Sequence, residues 1–142
     1  MSEEGAGLLL DTHVWIWLME GDKRLPVAVR EEIQRAVPAA QLNIAAISLW
    51  EVGMLEKKGR IVFDVNCYVW IQQALSAPGV SLLPLSPEIA LDSTRLPGVF
   101  HGDPADRILV ATARRDETKL VTADQKILKY AEDGYVRALS AS

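Results

Sequence analysis

Short runs of consecutive apolar residues alternate along this chain with longer stretches of helical period. Residues 7–10 form an apolar run ended by Asp11, and a helical stretch follows over 12–19 up to the turn Glu20-Gly21-Asp22. Leu25-Pro26 opens a second helix to residue 37, with Val29, Ile33 and Val37 on one face and Arg30, Glu31, Glu32 and Arg35 largely on the other; Pro38 ends it. Residues 42–47 predict a buried strand and 48–58 a helix stopped by Gly59. A helix over 66–77 stops at Pro78-Gly79, a third strand covers 80–85, and Ser86-Pro87-Glu88 starts a helix to about residue 95. Residues 96–102 read as a loop into a helix beginning at Pro104. Residues 119–122 predict a fourth strand, 125–131 a short helix and 135–139 a last, edge strand. Strands and helices alternating at these lengths predict an α/β fold, a three-layer α/β/α domain on a mainly parallel sheet of roughly five strands.

The bulk composition narrows the class. At 142 residues, 49% hydrophobic and 24% charged, the chain suits one soluble domain, 1–142, with residues 1–6 a short polar N-terminal tail. Its one cysteine, Cys67, excludes an internal disulfide framework and reads as a packing residue. The first residues carry no basic region and no stretch is long enough to span a bilayer, so the expectation is a cytoplasmic protein with no membrane partner. A net charge of −4 argues against a broad nucleic-acid-binding face. It leaves room for a nuclease, because a bound divalent ion reverses the field locally.

Four carboxylates, Asp11, Glu51, Asp106 and Asp124, stand where strand character gives way to helical character. In a parallel sheet with helical crossovers every strand delivers its carboxyl end to one edge, so these acids can converge. Such a set calls for a cation, and hard oxygen ligands suit Mg²⁺ or Mn²⁺ better than Zn²⁺. Each acid alone is equally well read as a helix cap. Ser48-Leu49-Trp50-Glu51 has the capping-box form, Asp103-Pro104-Ala105-Asp106 is a close analogue with proline at the first helical position, and Asp124 can cap the helix after it. Capping does not explain why all four should gather at one sheet edge.

Leu8-Leu9-Leu10-Asp11-Thr12-His13, Ser48-Leu49-Trp50-Glu51-Val52, His101-Gly102-Asp103-Pro104-Ala105-Asp106-Arg107 and Val121-Thr122-Ala123-Asp124 resemble, in order and over nearly the whole chain, the four acidic motifs of PIN-domain ribonucleases. The resemblance is closest to the VapC-like toxins of toxin-antitoxin pairs. It implies that Asp11, Glu51, Asp106 and Asp124 hold Mg²⁺ or Mn²⁺ and that a metal-activated water hydrolyses an RNA phosphodiester. It also implies a homodimer and a cognate antitoxin whose segment lies in a groove near the site. Asp103 matches a second acid of one subgroup and is assigned mainly to capping, with an outer-sphere role as the alternative. Thr12 can orient Asp11 or a water, or bond backbone amides. Arg107 can reach phosphate or solvate a helix face.

His13 and His101 adjoin the motifs but are not needed for this chemistry and read as supporting or structural residues. Residues 14–19, with Trp15 and Trp17, are apolar nearly all round, which suggests a contact with another chain beyond core packing. Trp50 and Met54, four residues apart, add to that surface. Three further readings compete: an enzyme, a receiver domain and a binding module. An aspartyl-phosphate phosphatase would use Asp11 as nucleophile, but the usual second acid two residues on is His13 here. A receiver domain would need paired acids after the first strand. A PIN-like binding module without catalysis would be expected to lack one of the four acids.

Overall fold

The computed structural model describes residues 7–142, so the tail expected at 1–6 lies outside the described residues. Its strands are β1 (Leu8–Leu10), β2 (Leu42–Ala45), β3 (Val80–Leu83), β4 (Lys119–Thr122) and β5 (Ala138–Ser140). Its helices are α1 (Thr12–Glu20), α2 (Val27–Ala36), α3 (Ala46–Lys57), α4 (Cys67–Leu75), α5 (Pro87–Asp92), α6 (Pro104–Asp116) and α7 (Gln125–Glu132). The strands make one sheet in the order β3-β2-β1-β4-β5, every pair parallel.

The central strand shows why both faces need helices. Side chains alternate along a strand, and Leu8 and Leu10 enter one core with residues of α1, α2 and α4. Leu9 enters the other with Leu109, Val110, Ile127 and Tyr130 of α6 and α7. All three leucines are buried, so the run is apolar throughout, as expected of a parallel strand covered on both sides. The α/β expectation therefore holds, with five strands.

Several boundaries differ from the sequence expectation. β2 stops at Ala45, and α3 starts two residues before Ser48 with Ala45 as its N-cap and no side-chain cap bond, so Ser48-Leu49-Trp50-Glu51 is not a capping box. An apolar run such as 42–47 fits the end of a buried strand and the start of a buried helix equally well. The third strand ends at Leu83 rather than at residue 85. The last strand is shifted to 138–140, because Tyr135 stacks on Tyr130 and Val136 is buried against α7 before the chain joins the sheet. The caps at Asn66, Ser86, Asp103 and Asp124 are present, each side chain accepting from an amide of the following turn.

The apolar stretch of α1 is core rather than surface. Val14, Trp15 and Ile16 are buried, Trp17, Leu18 and Met19 pack partly buried against the same cluster, and Trp15 meets Trp70 of α4 edge-on at 5.1 Å between ring centroids. Most of the apolar excess of α1 is thus taken up by packing within the chain, with Trp17, Leu18 and Met19 left partly exposed.

Candidate active site

The strand order reverses between β1 and β4: from β1 the chain builds outward through β2 to β3, then returns to the other side as β4 and β5. At such a switch point the connections leave neighbouring strands in opposite directions and open a crevice at their carboxyl ends. Asp11 immediately follows β1, its amide donating to the Val121 carbonyl of β4 at 2.9 Å, and Asp124 lies two residues past β4. Glu51 and Asp106 arrive differently. Glu51 sits in the second turn of α3, and Asp106 in the first turn of α6, which follows a loop and not a strand. The expectation that all four acids follow strands directly thus holds for Asp11 and Asp124 alone.

Buried hydroxyls tie these acids to the frame. Thr122 is fully buried; its hydroxyl donates to Asp11 Oδ2 at 2.6 Å and accepts the Asp124 amide at 3.0 Å. Thr12 Oγ1 lies 2.5 Å from Glu51 Oε1 and 2.8 Å from Ser48 Oγ, and Ser48 is also fully buried. Its one proton serves one of them at a time, and with Glu51 ionised the carboxylate is the stronger acceptor. Asp103 Oδ1 accepts the Asp106 amide at 2.9 Å, and Asp124 Oδ1 accepts the amides of Lys126 and Ile127 at 2.8 and 3.1 Å. The capping and the converging readings of Asp103 and Asp124 are therefore compatible.

The electrostatics show the convergence. Burial pushes the half-buried Asp106 carboxyl up to about 7, with Asp103, Asp124, Asp11 and Glu51 all adding repulsion. Burial likewise raises Asp11, opposed first by the Thr122 hydrogen bond and then by the charge of His13. Glu51 is raised by burial, opposed by the Thr12 hydrogen bond, with Asp11 and Asp103 adding to the rise. Five carboxylates thus act on one small space. None of the ion pairs among the described residues engages any of the quartet.

Among the described residues no three acidic, histidine or cysteine side chains are drawn together as a ready-made metal cage. The donor set still fits a hard divalent cation. It is all carboxylate, it lacks a basic partner, and Mg²⁺ typically keeps several waters and takes only one or two carboxylates directly.

The remaining candidates separate clearly. Arg107 donates from Nε to the Ser93 carbonyl and from a terminal nitrogen to the Phe100 carbonyl, both at 2.8 Å, so it ties α6 to the segment before it and neither solvates a helix face nor extends freely toward the crevice. His13 is exposed beside Asp11, and His101 is exposed in the loop before α6. Sequence reasoning assigned Ser48 to a cap that does not form and gave Thr122 no role. Only the pairing of Leu10 with Val121 brings Asp11 level with Thr122.

Beside the acids lies a groove of about 720 Å³ between α3 and α6, with His13, Glu51 and Asp103 in its lining. Its walls are mainly apolar, with Ile47, Trp50, Met54, Leu85 and Ile108 among them, and Lys58 and Arg60 add positive charge. Trp50 is 58% exposed there, which makes α3, and not α1, the helix that offers an unpartnered tryptophan.

A family model described as the PIN domain matches residues 8–133, a span that holds all four acids. Among characterised proteins, Ribonuclease VapC22 of Mycobacterium tuberculosis is 36% identical over 120 residues, covering 84% of this chain and 88% of that protein. Among solved structures, the DNA-bound VapBC from Salmonella typhimurium matches with a TM-score of 0.70 at 14% identity over 96% of this chain and 99% of that one, a likeness of fold. A toxin-antitoxin complex from Klebsiella pneumoniae matches with a TM-score of 0.63 at 25% identity over 96% and 98%.

Proposed function

The chain belongs to the PIN-domain family, and from that premise we propose that it is a Mg²⁺- or Mn²⁺-dependent endoribonuclease, the toxin of a toxin-antitoxin pair. The observation that supports this reading is that Asp11 and Asp124 follow the neighbouring strands β1 and β4 at the switch crevice, with Glu51 and Asp106 close enough to add to the charge there and no ion pair engaging any of the four among the described residues. The similarity to a protein named a ribonuclease supplies the substrate class.

Asp11, Glu51 and Asp106 would hold the metal, with Asp124 completing the set directly or through water. A divalent ion bound there supplies activation of the attacking water and neutralisation of charge on the phosphoryl and leaving oxygens. The protein's own part is placement. Thr122 and Thr12 orient Asp11 and Glu51 by donating to them and oppose the rise that burial imposes on both carboxyls. The Asp103 and Asp124 caps anchor the starts of α6 and α7 at the crevice. Asp11→Asn or Asp106→Asn is expected to lower metal-dependent RNA cleavage by orders of magnitude with the fold intact. Near-normal cleavage by either purified variant would remove the assignment.

The groove between α3 and α6 suits the antitoxin. Its apolar walls and exposed Trp50 fit the apolar face of a peptide segment, and such a segment would cover Glu51 and Asp103 at the same time. A homodimer belongs to the same reading, with Val62 and Tyr68, 85% and 90% exposed, as candidate apolar surface. A cytoplasmic location goes with it. Among the described residues no helix is long and apolar enough to cross a membrane.

A further inference from the structure

We propose that the core between α1, α2 and the sheet holds a binding site for a small, uncharged ring compound carrying one hydrogen-bond acceptor, with the indole N–H of Trp15 as the donor that selects it. This goes beyond the nuclease reading and does not depend on it.

Two observations meet at Trp15. The first is a cavity of about 190 Å³ that Trp15 lines together with Ile33 and Val37, Ile44 of β2 and Pro78 of the turn before β3. Gln34 and Pro78, both exposed, mark its mouth at the surface. The second is the indole itself. Trp15 is 1% exposed, and among the described residues its Nε1 has no hydrogen-bond partner. Trp70, packed edge-on against it, shows how the fold treats the neighbouring indole: its Nε1 donates to Glu20 Oε2 at 2.9 Å. A buried N–H left without an acceptor is unfavourable, and native structures meet such a group with protein, water or ligand.

The lining decides what that acceptor belongs to. Among the described residues no charged side chain lines the cavity, so an ion would lose its hydration with nothing in return. A buried water needs about 2–4 polar partners. Besides Trp15, only Gln34 at the mouth brings a strongly polar side chain to the lining, so the interior suits a hydrocarbon body better than a water. The size agrees. An apolar cavity of about 150 Å³ takes up benzene, and at the packing density of protein interiors this larger one has room for a ring with a short substituent. The ligand class is therefore a neutral aromatic or alicyclic ketone, ester or ether, with its ring among Ile33, Val37 and Ile44 and its oxygen at the Trp15 N–H. Such a ligand stays out of the acidic crevice. The Trp15 amide donates to the Asp11 carbonyl at 2.9 Å, one helical turn away, while its indole belongs to the core.

The test uses two probes of one shape, acetophenone and α-methylstyrene, which differ in an oxygen or a methylene at the same place. Each is titrated into the isotope-labelled full chain while the indole N–H resonances are followed by NMR, with that of Trp15 assigned through Trp15→Phe. Acetophenone is expected to shift the Trp15 signal saturably and to bind roughly 3–10-fold more tightly than α-methylstyrene, the difference that one net hydrogen bond makes. Trp15→Phe should bind both probes equally. Ala77→Phe, which puts a ring into the lining, should bind neither while melting like the wild type. Where Trp15→Phe is too unstable to assay, the two probes on the wild type and on Ala77→Phe decide. A Trp15 signal that neither probe moves, or binding that survives Ala77→Phe, overturns the site. Equal binding of both probes to the wild type overturns the role of the N–H. An Overhauser contact between that N–H and water, unchanged by acetophenone, makes a buried water its partner and overturns the proposal as well.

Discussion

Asp106 is raised first by burial and then by four neighbouring carboxylates, and its pH behaviour follows from that. Its carboxyl stands at about 7 in the folded protein, against about 4 for an aspartate in an unfolded chain. The folded state therefore binds the proton more readily. The stability that this group contributes is fully present below the unfolded value and is lost as pH rises through the folded one. In EDTA the melting temperature should fall between about pH 5 and pH 8, and Asp106→Asn should flatten the fall; a wild type with no such slope would mean that the acids do not converge in solution. Asp103 tests the same cluster from its rim. Asp103→Ala removes the cap of α6, at a cost of about 1 kcal/mol, and also removes the leading charge raising Asp106. Its Asp106 carboxyl should titrate lower by NMR even as the protein melts earlier. Asp11 and Asp124 were legible in the sequence because each follows a strand, while Glu51 and Asp106 were picked out by the motifs around them rather than by where their strands end. The hydroxyls of Ser48 and Thr122 were not legible, since their partners are set by contacts between residues 36 and 111 positions apart.

Helices α1 and α3, which the sequence suggests share one contact surface, differ in what they expose. Both carry tryptophan on an apolar stretch, and apolar pattern alone cannot separate a helix enclosed on every side from one with a free face. The layers decide it: Trp15 lies between the sheet and α4, whereas Trp50 lines the open groove. Trp15→Ala should accordingly cost about 3–5 kcal/mol of stability. Trp50→Ala should stay within about 0.5 kcal/mol of wild type while weakening capture by a co-expressed antitoxin. Equal stability losses in denaturant titrations would contradict this division. The loop into α6 is similarly specific. A Cβ on Gly102 would lie 2.4 Å from Phe100 Cε2 and 2.9 Å from Asp106 Cβ, and the Phe100 ring, buried against Tyr130, cannot swing away cheaply. Gly102→Ala should therefore displace Asp106 and reduce cleavage more than its change in melting temperature would suggest. A variant as active as wild type would show that α6 can shift without consequence.

At the scale of the molecule, the sheet brings acids together where folding alone would keep them apart. The alternation of strands and helices was enough to foresee a parallel sheet, and the strand order then makes β1 and β4 neighbours across the switch. No local pattern specifies that order. It follows from which faces the helices must cover, and it turns acids from separate elements, of which Asp124 also caps α7, into a repelling group. A linkage experiment tells the two descriptions apart. If the acids serve only as caps, Asp124→Ala should cost about 1 kcal/mol with or without metal, and Mg²⁺ should leave the wild type unchanged. If they form a site, Mg²⁺ at about 100 times its dissociation constant should stabilise the wild type by about 2.7 kcal/mol through binding to the folded state alone. In EDTA, Asp106→Asn should then be neutral or stabilising, because it removes one of several unpaired like charges. The same variant should gain far less from Mg²⁺. Melting curves for the wild type and these two variants, each in EDTA and in Mg²⁺, give the answer: wild-type curves that coincide in both conditions, with Asp106→Asn destabilised equally in each, would leave the acids as caps.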